Sequence, residues 1–174
     1  ELFRDIPHTL LSGSPDTEIT GLCCDSRKAG PESLFVALPG ARADGHDFVP
    51  AVAGQGAAAV VVEHPVDGAG NAAVVQVENA RIALALLAAA FYGHPADRLT
   101  IIGITGTKGK TTTAYILRSI LTAAGRKTGM IGTVGTFIGN EMLCDARNTT
   151  PESLELHQRF AQMEQAGCTH VVME

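Results

Sequence analysis

Cysteine is scarce in this sequence, and none of the four present sits in a metal-binding spacing. Cys23, Cys24, Cys144 and Cys168 form no CxxC pair and no His/Cys pattern, so neither a zinc site nor a disulfide framework is expected. Free thiols in a reducing cytosol are the natural reading. Excess charge is also modest: 13 Lys and Arg against 18 Asp and Glu give a formal net charge of -5. That balance argues against a general binder of nucleic acid or anionic membrane, while leaving room for a small basic pocket. No apolar run is long enough to cross a bilayer. IALALLAAAFY, residues 82–92, falls short of the ~20 residues a spanning helix needs, and its mid-chain position rules out a signal peptide. Repeats and low-complexity segments are missing. The first residue is Glu1, not methionine, and a trimmed start is expected.

What remains is a chain of 174 residues, 45% hydrophobic, with 19 glycines and 8 prolines. It suffices for one ordinary domain or two small ones. LFVAL (34–38), AAAVVVE (57–63) and AAVVQV (72–77) read as short buried strands. FVPAVAGQGA reads as a short helix between them. Asn79 is placed to cap a helix through ARIALALLAAAFYG that ends at Gly93. Apolar on nearly every face, this helix is expected to be well buried. GHPADRL (93–99) reads as a linker, giving two portions, 1–97 and 98–174.

The second portion opens with TIIGI (100–104), a continuous apolar run expected of a parallel strand buried on both faces. Leu117, Ile120, Leu121 and Ala124 fall at helical spacing and are expected on one buried face, with Gly125 as terminator. KTGMIGTVGTFIG reads as strand plus turn. PESLELHQRFAQMEQAG reads as a helix with Pro151 at its first position, and THVVME as another buried strand. The expected fold is α/β: a small amino-terminal α/β domain, then the start of a second, parallel-sheet domain. With about three strands against a usual ~5–6, the second sheet is expected to be incomplete.

Chemistry concentrates in ITGTKGKTTT, residues 104–113. A glycine-rich turn between a buried strand and a helix start converges backbone N–H groups on an anion. The strict phosphate-loop pattern, GxxxxGK[ST], needs a glycine at position 104, where Ile104 stands. The match therefore rests on Gly106, Gly109, Lys110 and Thr111. Both glycines let the backbone approach phosphate, Lys110 can reach β- and γ-oxygens, and the Thr111 hydroxyl can ligate Mg2+. Lys108 faces either a phosphate or solvent. Glu174 ends the apolar run HVVM, and an acid at the tip of such a strand can hold a phosphate-bound metal or serve as a surface carboxylate.

TGTKGKTTT resembles the ATP loop of the Mur ligases, whose TGTxGKT pattern accounts for the displaced glycine. DSRKAGPESLFVALPGARADGHDF (25–48) resembles the amino-terminal domain of that family, NTTPESLELH (148–157) resembles the stretch of its third-residue-adding members, and HVVME resembles its metal-binding strand. The resemblance implies an ATP-dependent amide-bond ligase of cytoplasmic peptidoglycan biosynthesis, acting as a monomer. It would add L-lysine or meso-diaminopimelate to UDP-N-acetylmuramoyl-L-alanyl-D-glutamate through an acyl phosphate. It implies ATP and Mg2+ as cofactors, with Gly106, Thr107, Lys108, Gly109, Lys110, Thr111 and Thr112 on ATP, Lys110 catalytic, and Thr111 and Glu174 on the metal. Ser26, Arg42 and Ala43, with Asp44 beside them, would lie near the UDP moiety, and His46 is either there or structural. Asn148, Thr149 and Thr150 would hold the muramoyl-peptide; read without the family, the two threonines are a helix start. Lys108 stands where the family commonly has asparagine. The family has three domains, so this stretch alone is expected to be inactive. Another ligase of the superfamily, or a nucleotide-binding module without catalysis, is the alternative.

Overall fold

A computed structural model describes residues 1–40, 43–146 and 148–174, in two compact units, Glu1–Leu87 and Ala88–Glu174. The first unit holds β1 (His8–Ser12), β2 (Gly21–Cys23), β3 (Ser33–Val36), α1 (Val49–Gly54), β4 (Ala59–Val62), β5 (Ala73–Val77) and the start of α2 (Ala80–Phe91). Its sheet runs β1-β5-β4-β3-β2. The strands from β2 to β5 pair in parallel, and β1 joins β5 antiparallel. Val-rich β4 is buried at every position, as a central parallel strand must be. Phe35, Val52, Val60, Val62 and Val74 form its core with Val49.

The expected strands at 34–38, 57–63 and 72–77 are present. β1 and β2 were not expected: β1 is exposed along its whole length, and β2 has only three residues, so neither carries a burial pattern. Asn79 caps α2 as expected, its Oδ1 accepting from the Ile82 N–H at 2.9 Å. The helix is not buried all round, however. Ala83, Leu84, Leu87 and Ala88 are covered, while Ile82 is 62% exposed and Leu86 40%, one turn apart on the opposite side.

The second unit contains β6 (Thr100–Gly103), α3 (Lys110–Ala123), β7 (Thr128–Ile131), β8 (Gly135–Ile138), β9 (Glu141–Asp145), α4 (Ser153–Gln165) and β10 (His170–Met173). Its sheet has five strands rather than three, in the order β6-β10-β7-β8-β9. β10, last in sequence, lies between β6 and β7 and pairs in parallel with both. β8 and β9 extend the sheet as antiparallel hairpins. The α/β class stands, with both sheets mixed.

Three further expectations are corrected here. β6 is an edge strand, and Thr100, Ile101 and Gly103 are exposed rather than buried. On α3 the covered side is Ala114, Leu117 and Leu121, packed with Met130, Phe137 and Val172, and Ile120 points outward at 58% exposure. Apolar spacing gave the helix but not its phase, because Ile116 and Ile120 offer a second apolar stripe. The GHPADRL segment is not a loose linker. Pro95–Arg98 forms a 3-10 turn, Arg98 pairs with Glu164 on α4, and Ala96 and Leu99 pack with Phe160 and Met163.

Phe35 is 1% exposed at the centre of the first core. Phe35→Ala is expected to cost about 3–5 kcal/mol, a large part of the roughly 5–15 kcal/mol that holds a domain together. Urea unfolding monitored by circular dichroism measures it; a loss below about 1 kcal/mol would contradict this packing.

Candidate functional site

The parallel strands β6, β10 and β7 bring their carboxyl ends to one edge of the second sheet, where ligands of open α/β sheets gather. From β6 the chain turns through 104–109 into α3. Gly109 sits immediately before the helix with φ 78°, a left-handed conformation that strains any side chain. Lys110 begins α3 and folds back, its Nζ donating to the Gly106 carbonyl at 2.9 Å. The amino end of α3 therefore presents N–H groups, helix dipole and lysine on one side.

Opposite stands Glu174, directly after β10. It is only 8% exposed. Its Oε2 accepts from the Thr111 hydroxyl at 2.9 Å and from the Thr133 hydroxyl at 3.1 Å, and its Oε1 from the Thr133 N–H at 3.3 Å. Its backbone carbonyl accepts from the Thr150 hydroxyl at 2.7 Å. Thr133 and Thr149 hydroxyl oxygens lie 3.2 Å apart. A cleft of ≈ 340 Å³ runs between these groups, lined by Thr107, Lys108, Gly109, Lys110, Thr111, Thr112, Thr133, Thr149 and Glu174.

Every expected phosphate-loop residue from Thr107 to Thr112 thus lines one cleft with Glu174. Gly106 supplies the carbonyl that holds Lys110. The donor set fits a hard cation: a carboxylate and a threonine hydroxyl side by side are the oxygen ligands Mg2+ takes. Thr149 reaches the same cleft, and Asn148 lines a small neighbouring recess with Asp145 and Glu155. Thr149 and Thr150 are not the helix start expected from sequence. α4 begins at Ser153, after Pro151 and Glu152, and the Thr150 hydroxyl donates to the backbone carbonyl at the tip of β10, leaving its oxygen free to accept.

Sequence reasoning missed two residues. Thr133 lies in the β7–β8 turn and carries no motif. Gly132 precedes it, and a Cβ there would run into the Glu174 carboxylate. The GTVG run could have pointed to a close approach, since glycine beside a strand end often marks one.

In the first unit, Ser26 and Ala43 follow the carboxyl ends of the adjacent parallel strands β2 and β3. Ser26 opens a 3-10 turn capped by Asp25, whose carboxylate accepts from the Arg27 N–H at 3.1 Å and pairs with its guanidinium at 2.7 Å. Ala43 is exposed; Arg42 lies outside the described residues. His46 is buried, and both ring nitrogens are engaged. Nε2 accepts from the Glu63 N–H at 2.9 Å, so the proton sits on Nδ1 and is donated to Asp44 at 2.5 Å. The His46 N–H and ring together hold the Asp44 carboxyl below its usual range. Asp44, His46 and His64 bring three possible metal-ligand atoms within 4.8 Å. A metal would have to displace bonds His46 already makes, and its ring stacks on His64 at 4.2 Å. His46 is a structural pin that fixes the loop after β3.

The four cysteines form no disulfide, and Cys23 and Cys168 are buried. Burial pushes the Cys23 thiol up to about 11. No helix among the described residues is long and apolar enough to cross a membrane.

The chain resembles known proteins along nearly its whole length. The family model described as Mur ligase middle domain matches residues 104–174, and that described as Mur ligase family, catalytic domain, matches 18–92. A UDP-N-acetylmuramoyl-L-alanyl-D-glutamate--2,6-diaminopimelate ligase of Solibacter usitatus is 48% identical over 97% of this chain and 34% of its own length. The protein of the same name from Bacillus cereus is 46% identical over 96% and 35%. Among solved structures, a UDP-N-acetylmuramoyl-L-alanyl-D-glutamate--2,6-diaminopimelate ligase superposes with a TM-score of 0.73 at 25% identity, covering 88% of this chain and 31% of that one. The MurF ligase of Thermotoga maritima, solved in complex with ADP, gives 0.59 at 25% identity over 90% and 31%. The chain spans about a third of the length of the curated relatives it matches.

The Arg27 guanidinium and N–H hold Asp25 down to about 2. Its folded value lies below the unfolded ~3.9, so its contribution is fully present above that value and is lost as pH falls through about 2. With Arg27 largely exposed, the stability effect is small. A carboxyl NMR titration is expected to place Asp25 near 2 and to move it toward 4 in Arg27→Ala; a wild-type midpoint near 4 would contradict the pairing.

Proposed function

Because the chain belongs to the Mur ligase family, we propose that it forms the UDP-binding portion (1–97) and the opening of the ATP-binding portion (98–174) of an ATP-dependent amide-bond ligase of peptidoglycan biosynthesis. The substrate is UDP-N-acetylmuramoyl-L-alanyl-D-glutamate, and the amino acid added is the third of the peptide, 2,6-diaminopimelate in the names of the relatives. Both ATP and a UDP-linked precursor belong to the cytoplasm. The observation that carries this reading is the shared cleft: the phosphate loop, the Glu174 carboxylate and Thr149 of the acceptor segment line a single space.

A carboxylate is a poor electrophile. Its oxygen attacks the γ-phosphorus of ATP, the bond to the bridging oxygen breaks, and ADP leaves with an acyl phosphate remaining. The amine of the incoming amino acid then attacks the acyl carbon, loses a proton and expels phosphate, leaving an amide. Gly106 and Gly109 let the loop close around the phosphates. Lys110 exchanges the Gly106 carbonyl for phosphate oxygens and neutralises charge as it moves to the leaving group. Thr111 and Glu174 would hold Mg2+, which when bound offsets charge on the β- and γ-phosphates. Thr107, Lys108 and Thr112 line the same cleft and complete the nucleotide contact. Asn148, Thr149 and Thr150 orient the muramoyl-peptide toward it. Ser26, Arg42 and Ala43 bind the UDP end.

In the full-length protein, Lys110→Ala is expected to abolish ligation and leave binding of the UDP-linked substrate nearly intact. The lost charge-assisted contact is worth roughly 1.5–3 kcal/mol in binding, and more where charge shifts during transfer. Phosphate release and calorimetric binding of the UDP-muramoyl dipeptide measure the two separately. Normal turnover in the mutant would sink the assignment of the loop.

A further inference from the structure

Thr133 occupies a position that its own turn does not explain. Gly132 and Gly135 exchange reciprocal backbone hydrogen bonds at 3.1 Å, so Thr133 and Val134 are the two central residues of a tight hairpin. Such turns favour Asn, Asp and Gly. A β-branched pair is a poor local choice, and neither residue takes the positive φ of the preferred turns. The contacts of Thr133 lie elsewhere. Its N–H and hydroxyl both donate to the Glu174 carboxylate, one to each oxygen. Since the hydroxyl proton goes to Glu174, the 3.2 Å contact with Thr149 has Thr149 donating to the Thr133 oxygen. The absent Cβ of Gly132 lets the turn come this close. A chain of hydroxyls and one carboxylate results: Thr149 to Thr133 to Glu174, with Thr111 joining from α3.

We propose that Thr133 is a positioning residue of this site, holding the Glu174 carboxylate in place for the nucleotide-bound cation and tying it to the acceptor segment through Thr149. The proposal rests on the ligase reading of the cleft. Two hydrogen bonds from one residue fix both oxygens of the carboxylate, so its rotation is restrained before any ligand arrives. Movement of 148–150 on substrate binding then acts on the same hydroxyl that orients Glu174. Thr133 needs to touch neither nucleotide nor acceptor.

The test uses Thr133→Val, which keeps shape and N–H but removes the hydroxyl, and Thr133→Ser, which restores it. Binding of a fluorescent ATP analogue is measured with and without Mg2+, after circular dichroism confirms folding. Thr133→Val is expected to raise the Mg2+ concentration for half-maximal binding roughly 3- to 10-fold, the range for one lost hydrogen bond. Metal-free binding should stay unchanged and Thr133→Ser should match wild type. Thr149→Val should give a smaller increase that disappears in the Thr133→Val background, since neighbours in one network are not additive. A Thr133→Val protein with wild-type Mg2+ dependence, or a Thr133→Ser protein as impaired as Thr133→Val, overturns the positioning role. Additive effects of the Thr133 and Thr149 changes overturn the link between the segments. Wild-type protein that binds the analogue without regard to Mg2+ removes the underlying reading of the cleft, and the proposal with it.

Discussion

The Glu174 carboxylate is a buried negative charge, and the geometry of the site follows from how that charge is satisfied. Burying a carboxylate without partners is costly, and the cost is offset only by donors held in the right places. Here the donors come from two elements far apart in sequence: Thr111 at the start of α3 and Thr133 in the β7–β8 turn. They converge because β10 lies between β6 and β7, so the loops leaving all three strands share one edge. The topology of the sheet is therefore what turns a threonine after a GK dipeptide and a glutamate 63 positions later into neighbours.

The two sheets use the same edge in the same way. In the second, the glycine-rich turn after β6 and Glu174 after β10 follow parallel strands at their carboxyl ends. In the first, the turn with Ser26 and the loop with Ala43 follow β2 and β3. The second of these loops is pinned by His46, whose neutral ring joins Asp44 on its own loop to the Glu63 N–H after β4. A buried histidine in this role accounts for the DGH run without assigning it a ligand. In both sheets the strands carry the packing, and the loops at one end carry the residues proposed for binding.

Much of this was legible because it rests on local rules. Asn79 caps α2, Gly106 and Gly109 give the backbone its tight turn into α3, and the apolar runs of β3, β4 and β5 are buried strands, each readable from a few adjacent residues. The elements that escaped notice depend on partners distant in sequence. β1 is exposed along its length and exists because β5 offers it an edge, and β2 is held in the same way by β3. The phase of α3 was misread because Ile116 and Ile120 compete with Leu117 and Leu121, and only the sheet beneath selects between them. In the site, the type and spacing of residues such as Lys110 and Thr111 single them out, and the structure places both in one cleft with Glu174. Thr133 and Gly132 are not singled out in this way, since their importance lies in approaching a side chain 41 residues further along.

The most direct measurement is a two-dimensional amide NMR titration of the protein with ATP and Mg2+. If the cleft is the nucleotide site, the amides of Gly106, Lys108, Gly109, Lys110 and Thr111 shift, together with those of Thr133 and Glu174 on the facing side. Amides of Ser26 and His46 in the first unit stay in place. Unmoved phosphate-loop amides, with shifts confined to the first unit, would contradict the assignment of ATP to the second sheet.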